Sequence, residues 1–344
     1  MVWLPRTHGE VALEVTQIAA SGGRMDERAE ALVGCLHRAI RFDSAWIGLL
    51  DPEHRGHLTL LAPGYDQRVR RFLDQPQVLD EIEEVGLHRE RAPIRLSEAL
   101  GILEESAAWE EYLRPAGFRD GIGLGLFQRD GHYLGVLGLY AETATQLTDD
   151  DCRLLALLTP TIAAAVDPLR SLGVLARMVS RATAGAVLTR AGHPLPLPGL
   201  PSHVLLRRGS RLLPVALEEL GGHQNASFMC PFRERDGASR QVKVTVLSCP
   251  TDLPKYLRAV ALISPALDVY GLTPRELEIL GLLVEGWPNA RIGAALFVAG
   301  RTVATHVEHI LAKLGTPTRS GAAVLALRLG LYVPHALASG TVES

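Results

Sequence analysis

The segment from Leu272 to Gly330, LTPRELEILGLLVEGWPNARIGAALFVAGRTVATHVEHILAKLGTPTRSGAAVLALRLG, constrains this chain more than any other. Its helix signals divide it into four short helices. Thr273, Pro274 and Glu276 stand as N-cap, N1 and N3 of a capping box. Leu277, Leu280, Leu283 and Val284 then recur at helical spacing. Gly286 takes the place of the left-handed residue that ends a helix. A second helix begins near Pro288 and turns Ile292 and Leu296 inward. A third runs from about Arg301 to Leu314, with Val303, Val307, Ile310, Leu311 and Leu314 on one face. Arg301, Thr302, Thr305, His309 and Lys313 are left for its other faces, and Gly315 ends it. Thr318 caps a fourth helix whose Val324, Leu327 and Leu331 form an apolar stripe. A helix of the third kind, held by two others, is how proteins place side chains in the DNA major groove.

The rest of the chain must be compatible with such a module. Its 344 residues suggest two or three domains, and 47% hydrophobic against 21% charged residues supply sizeable cores. The net charge of -3 rules out a polycation, so attraction to a nucleic acid must be local. From Leu272 to Pro334 the six cations Arg275, Arg291, Arg301, Lys313, Arg319 and Arg328 face the four acids Glu276, Glu278, Glu285 and Glu308. Arg301, Lys313 and Arg319 cluster around the third helix, where phosphate contacts would set the docking register. Cys35, Cys152, Cys230 and Cys249 lie far apart without a C-x-x-C pair, which reads as reduced thiols. A redox pair of Cys230 and Cys249, both beside a proline, is the sharper reading. The N-terminus lacks a signal-peptide pattern, and Leu154 to Val166 is shorter than the roughly 20 apolar residues a bilayer needs. A soluble, cytoplasmic protein is expected.

From Val11 to Ile40 the spacing is helical. Ser44 to Asp51 and His57 to Leu61 read as strands, and residues 66 to 116 are charged with helix-like spacing. Gly121 to Ala141 places two apolar runs around Arg129-Asp130-Gly131, a hairpin signal. In Leu147 to Val166, Thr148 and Asp151 form a capping box, and the Asp149-Asp150-Asp151 run suits the helix macrodipole better than a metal site. Residues 164 to 180 form a connecting helix disturbed at Pro168. Gly185 opens a second β-rich segment in which RLLPVAL and Val242 to Cys249 are further strands, while Pro194, Pro196, Pro198 and Pro201 mark an edge or loop.

The C-terminal module resembles the LuxR-type helix-turn-helix domain. The resemblance lies in LTPRELEIL, Gly286 and Asn289 of EGWPN, the Ile292 to Leu296 spacing, RTVATH, ILAKLG and TPTR. It implies that Glu276, Leu280, Gly286 and Ile292 shape the core, and that Thr302 to Lys313 lie on the recognition helix. It also implies that the fourth helix pairs two copies, so that Val324, Leu327 and Leu331 are the dimerisation candidates. Three positions depart from the family pattern: Ala299 replaces a capping serine, Pro288 a serine, and the acid Glu308 a basic or neutral residue. The DNA-contact candidates are Arg301, Thr302, Ala304, Thr305, Glu308, His309, Lys313 and Arg319. Ala304, Thr305 and Glu308 are expected to face bases, Glu308 as an acceptor from cytosine N4.

Residues 11–166 resemble a GAF domain in the order helix, strand WIGLL, variable middle, hairpin ending in LGVLGLYA, and the helix opened by LTDDD. Residues 181–265 resemble a PAS-like sensor fold. The expected fold class is multidomain α+β: GAF-like (11–166) and PAS-like (181–265) antiparallel sheet domains joined by a connecting helix (167–180), then an all-α four-helix module (270–334). Neither sensor resemblance names a ligand.

Rival chemistry is thin. His306 and His309 are three apart with Glu308 between them, whereas the zinc-protease helix needs histidines four apart, so no metal is expected. Gly121, Gly123 and Gly125 do not join a strand to a helix N-terminus, and read as close packing rather than a phosphate loop. Cys35 has no neighbouring base, so no enzyme and no cofactor is expected. The reading is a transcriptional regulator that senses an effector or partner through its N-terminal region and binds double-stranded promoter DNA as a homodimer, away from membranes. The alternative is a sensor or interaction module that no longer binds DNA.

Overall fold

The computed structural model describes residues 6–103, 109–128, 130–144, 147–179, 181–233, 239–266, 269–338 and 342–343. Of the segments read above, residues 1–5, 104–108, Arg129, 145–146, Ser180, 234–238 and 267–268 lie outside these. The chain divides into two compact units, Met1–Pro168 and Leu169–Ser344.

In the first unit, α1 (Arg6–Ala20) and α2 (Met25–Ala39) replace the one long helical pattern, interrupted at Ser21-Gly22-Gly23. They precede β1 (Ser44–Asp51), β2 (Gly56–Leu61), α3 (Gln67–Leu73), α4 (Pro76–Val85), β3 (Ile94–Arg95), α5 (Leu96–Leu103), a π turn at Trp109–Leu113, β4 (Asp120–Phe127), β5 (Tyr133–Ala141) and α6 (Asp149–Val166). The strands form one antiparallel sheet in the order β2-β1-β5-β4-β3.

Two-residue alternation decides what each face buries. Ile122, Leu124 and Leu126 of β4, Leu137 and Leu139 of β5 and Ile47 of β1 pack with α1, α2 and α6. The opposite face carries Trp46, Val136 and Tyr140 among glycines, under α3, α4 and the π turn. Gly121, Gly123 and Gly125 lie on that second face, and a Cβ on Gly125 would stand 2.1 Å from the Leu87 carbonyl oxygen. Close packing is therefore what these glycines serve. The expected capping box of α6 is present: Asp151 Nα–H donates to Thr148 Oγ1 (3.2 Å), and Thr148 N–H donates to Asp151 Oδ2 (2.8 Å). Buried Arg28 ties α2 to the last turn of α6 by donating to the Ala165 carbonyl at 2.9 Å.

The second unit holds α7 from Leu169 onward (Pro168–Val179 in full), β6 (Ala184–Thr189), β7 (Pro194–Pro196), α8 (Leu212–Leu220), β8 (Asn225–Arg233), β9 (Ser239–Ser248) and β10 (Leu257–Pro265). It continues with α9 (Pro274–Val284), α10 (Asn289–Leu296), α11 (Gly300–Leu314), α12 (Arg319–Leu329), α13 (His335–Ala338) and β11 (Val342–Glu343). The sheet order is β11-β8-β9-β10-β6-β7, so its first five strands wind as those of the first sheet do. Proline-rich β7 is an edge, as its missing donors require.

RLLPVAL, expected as a strand, is helical. Leu212, Leu213, Val215, Ala216 and Leu220 are buried at helical spacing, and Pro214 sits in the first turn, where a missing N–H costs little. The sheet takes a strand from β8 instead, whose NASFMCPFR carries no clean alternation. One face of the sheet packs on α7 through Leu169, Leu172, Ala176, Val187 and Leu262. The other, with Phe228, Val244, Val246 and Ala261, shares a continuous core with α8 and with Leu277, Leu280, Ile292, Val303 and Ile310 of the C-terminal helices.

Candidate nucleic-acid interface

The four expected helices of the C-terminal module form, the fourth ending at Leu329, short of the expected Leu331. Thr273 Oγ1 accepts from Glu276 N–H at 3.3 Å and Glu276 Oε2 accepts from Thr273 N–H at 2.7 Å, so α9 starts with a complete capping box. Gly286, Gly315 and Gly330 all take left-handed conformations, at φ 79°, 62° and 67°. Thr318 Oγ1 accepts from Gly321 N–H at 3.0 Å and caps α12. Ala299 is the N-cap of α11 and supplies no side-chain bond.

α11 is the element on which the site turns. Val303, Ile310 and Leu314 are buried against α9 and α10, while Val307 and Leu311 pack at the edge of that core. Arg301, Thr302, Thr305, Glu308 and His309 are exposed, and Ala304 is half-buried between them. Among the described residues the Arg301 guanidinium has no hydrogen bond or ion pair. Thr305 donates its hydroxyl to the Arg301 carbonyl (3.3 Å), which leaves the oxygen as an acceptor facing outward. This surface therefore presents a cation, two hydroxyls, an acid and an imidazole along one exposed stripe, the mixture that reads base edges and phosphates.

Two of the expected contacts are engaged within the chain. Lys313 Nζ donates to Glu276 Oε2 at 2.6 Å, and Glu276 is 2% exposed. The ammonium thus neutralises the buried acid of the α9 capping box. Arg319 donates to the Trp287 carbonyl at 2.6 Å and ties the start of α12 to the turn before α10. The sequence pattern put both side chains in the right neighbourhood but could not show these partners. It counted Arg291 and Arg275 among the local cations without assigning them a contact: the Arg291 guanidinium lies 3.7 Å from the centre of the Trp287 ring, and Arg275 pairs with Glu278 and donates to the Leu296 carbonyl. The signal for Arg291 was its place three residues into α10, one turn from the aromatic.

On α12, Val324 and Leu327 are 56% and 50% exposed, an apolar face open to a partner. Leu331 departs from the expected stripe. α12 ends at Leu329, Gly330 reverses the chain, and Leu331 is 3% exposed inside the unit's own core. The helix-ending glycine breaks the phase that the sequence spacing had extended to it. Phe297, in the turn before α11, is 94% exposed and has φ 55°, a left-handed backbone that a bulky residue rarely adopts.

Elsewhere, Cys230 and Cys249 do not meet. Cys230 is opposite Val242 at one end of β9 and Cys249 follows Ser248 at its other end, so about seven residues at roughly 3.3 Å each separate them. Burial pushes both thiols up to about 12, which suits inert reduced cysteines. In the first unit, a cavity of about 80 Å³ lies between the glycine-bearing sheet face and α4 and α5, lined by Trp46, Phe72, Ile82, Leu96, Leu113 and Tyr140 with Glu81 and Arg95. Among the described residues no helix is long and apolar enough to cross a membrane.

Against known proteins, residues 271–326 match the model of the luxR family of bacterial regulatory proteins, and residues 24–166 match the GAF domain model. The chain thus carries an N-terminal GAF domain and a C-terminal LuxR-type helix-turn-helix domain. It is 51% identical over 63 residues to the transcriptional regulatory protein LiaR of Bacillus subtilis, covering 18% of this chain and 30% of that protein. It is 48% identical over 59 residues to the DNA-binding transcriptional activator DevR/DosR of Mycobacterium tuberculosis, covering 17% of this chain and 27% of that protein. The chain therefore spans under a third of the length of these relatives. Among solved structures, the GAF domain of a phosphoenolpyruvate-protein phosphotransferase from Coxiella burnetii aligns with a TM-score of 0.39 and 15% identity, over 49% of this chain and 97% of that one.

Proposed function

We propose that the chain is a DNA-binding transcriptional regulator in which an effector-sensing GAF domain governs a LuxR-type reading head. The observation that carries this is the exposed stripe Arg301, Thr302, Thr305, Glu308 and His309 on a helix whose other face is locked into a core. In this reading α11 enters the major groove of promoter DNA. Arg301 and the Thr302 hydroxyl hold phosphates, and Ala304, Thr305 and Glu308 face bases. Lys313 and Arg319 act from the rim, where their existing partners keep the helix in place. Val324 and Leu327 pair two copies, so that two half-sites are read together. The GAF domain holds a small effector in its cavity, residues 181–265 act as a PAS-like second sensor module, and the protein works in the cytoplasm without catalysing a reaction.

Fluorescence anisotropy of the full chain on promoter-length duplexes tests this. Affinity should fall steeply with salt, and Arg301→Ala should weaken binding evenly across sequences while reducing the salt slope by about one. Thr305→Ala and Glu308→Gln should instead change which duplexes are preferred, at about 1–3 kcal/mol per lost base contact. A folded chain that ignores every duplex at low ionic strength would leave the sensor or interaction module as the reading.

A further inference from the structure

The first unit carries 27 acids against 16 arginines and no lysine, so most of its surface repels an anion. One short helix is the exception. In α3 the run Arg68-Val69-Arg70-Arg71 buries Val69 and leaves three arginines exposed. Arg70 donates to the Tyr65 carbonyl at 3.0 Å. Arg68 and Arg71, three apart and so neighbours on the helix surface, line an open groove of about 500 Å³ with Asp66, Gln67, Gln75 and Tyr112.

The polar groups of this groove are not spent on one another. Elsewhere in the unit Arg95 pairs with Asp149 at the start of α6, Arg114 with Glu110 and Arg153 with Asp150. Among the described residues the side chains of Gln67, Arg68, Arg71 and Gln75 make no hydrogen bond or ion pair. Arg68 is nevertheless held in place. Its guanidinium lies 5.1 Å from the centre of the Tyr112 ring, and that ring stacks on Phe72 with centres 4.2 Å apart and planes 14° from parallel. A guanidinium resting on a ring uses its face and keeps its N–H edge for an acceptor. Asp66, the acid of the lining, caps α3 by accepting from Val69 N–H at 2.8 Å.

Charge and shape select a guest. A carboxylate has two oxygens, which a single guanidinium fork fills. A phosphomonoester has three terminal oxygens and a charge of about -1.5 to -2, enough for both arginines. The groove falls within the range of about 300–1,000 Å³ that holds small organic ligands, so a bare phosphate would leave most of it empty. The Gln67 and Gln75 amides each offer donors and an acceptor, which suits hydroxyl groups.

We propose that this groove binds a phosphomonoester on a hydroxylated body, a sugar phosphate in its simplest form. Arg68 and Arg71 hold the phosphoryl group, and Gln67 and Gln75 meet the hydroxyls. The site lies outside the sheet-face cavity and goes beyond the reading above. Phe72 lines that cavity and stacks on Tyr112, so groove and cavity share a wall.

Isothermal titration calorimetry on the full chain with glucose 6-phosphate, glucuronate, glucose and inorganic phosphate tests the class. Glucose 6-phosphate should bind at least about tenfold more tightly than glucuronate or inorganic phosphate, a difference of about 1.4 kcal/mol, and glucose should not bind. Arg71→Ala should weaken glucose 6-phosphate at least about tenfold. Arg68→Lys should do the same, because an ammonium keeps the charge but forms no planar fork. Arg41→Ala, which removes an exposed arginine elsewhere on the unit, should leave the affinity unchanged. The proposal is overturned if glucuronate or inorganic phosphate binds as tightly as glucose 6-phosphate, if Arg71→Ala binds it as the unaltered chain does, or if it fails to saturate at tens of millimolar. The ranking of probes by the unaltered chain stands even where a variant fails to fold. Anisotropy on duplexes without probe should be the same for Arg71→Ala and the unaltered chain. A loss there with sugar phosphate binding intact would assign Arg71 to DNA and overturn the proposal, so its failure is distinct from failure of the regulator reading.

Discussion

At the residue scale, Glu276 shows how one acid can serve a helix end and a packing contact together. Burial alone pushes its carboxyl up, but the Lys313 ammonium and the Thr273 donors outweigh this and hold it below the ordinary glutamate value. A carboxyl with a lowered folded-state pKa contributes stability that is complete above its unfolded value and is lost as pH falls through the folded one. Urea melts taken from about pH 7 down to about pH 3 should therefore show an acid-side loss that Glu276→Gln makes shallower. Lys313→Met should cost more at neutral pH than Glu276→Gln does, because it leaves a buried carboxylate without its cation. If Lys313→Met weakened DNA binding with no loss of stability, its role would be on the phosphates and not on Glu276.

The helix α11 and the turn before it carry two local costs. Its N-cap, Ala299, offers no oxygen to the first amides, and Phe297 holds a left-handed backbone with almost its whole surface in water. Ala299→Ser should stabilise the unit by about 1 kcal/mol. Phe297→Gly should add a similar amount, about 1 kcal/mol, by removing the clash of Cβ with the backbone. Thermal melts of the two variants check both. A loss of stability in Phe297→Gly would show that the ring makes a contact in solution that pays for its strain.

At the scale of the whole molecule, the reading head is built into the domain that precedes it within the second unit. Residues 331–333 run between α9 and β8: Met229 N–H donates to the Tyr332 carbonyl (2.7 Å) and Val333 N–H to the Leu277 carbonyl (3.2 Å). Tyr332 donates its hydroxyl to Glu219 at 2.6 Å, and Lys243 donates to the Leu329 carbonyl at 2.9 Å. Gly281 admits this segment, since a Cβ there would fall 2.0 Å from the Val333 oxygen. A fragment beginning at residue 270 should consequently melt at lower temperature than one beginning at residue 169, because it exposes the apolar surface that faces Phe228 and α8. Dimer formation should depend on a different surface. Val324→Asp and Leu327→Asp should shift sedimentation toward the monomer and weaken DNA binding by at least about tenfold, while leaving the melting temperature nearly unchanged because both side chains are exposed.

The sequence determined whatever depends on near neighbours along the chain. Caps, helix-ending glycines and hydrophobic period are set within a few residues, so the ends of α9 and α11, the Thr318 cap of α12, the α6 capping box and the outward face of α11 were all legible. The glycines of GIGLGLF could already be read as a close-packing face on β4. What depended on distant partners was not legible. RLLPVAL became α8 because a sheet face needed a helical cover, and a short apolar run carries too few turns to separate the two periods. Leu331 left the apolar stripe because Gly330 turned the chain into the core. Lys313 and Arg95 each kept the charge that the sequence gives them, but only tertiary structure chose Glu276 and the start of α6 as their partners. Electrostatic availability is a property of three-dimensional neighbourhood, and no spacing along a chain specifies it.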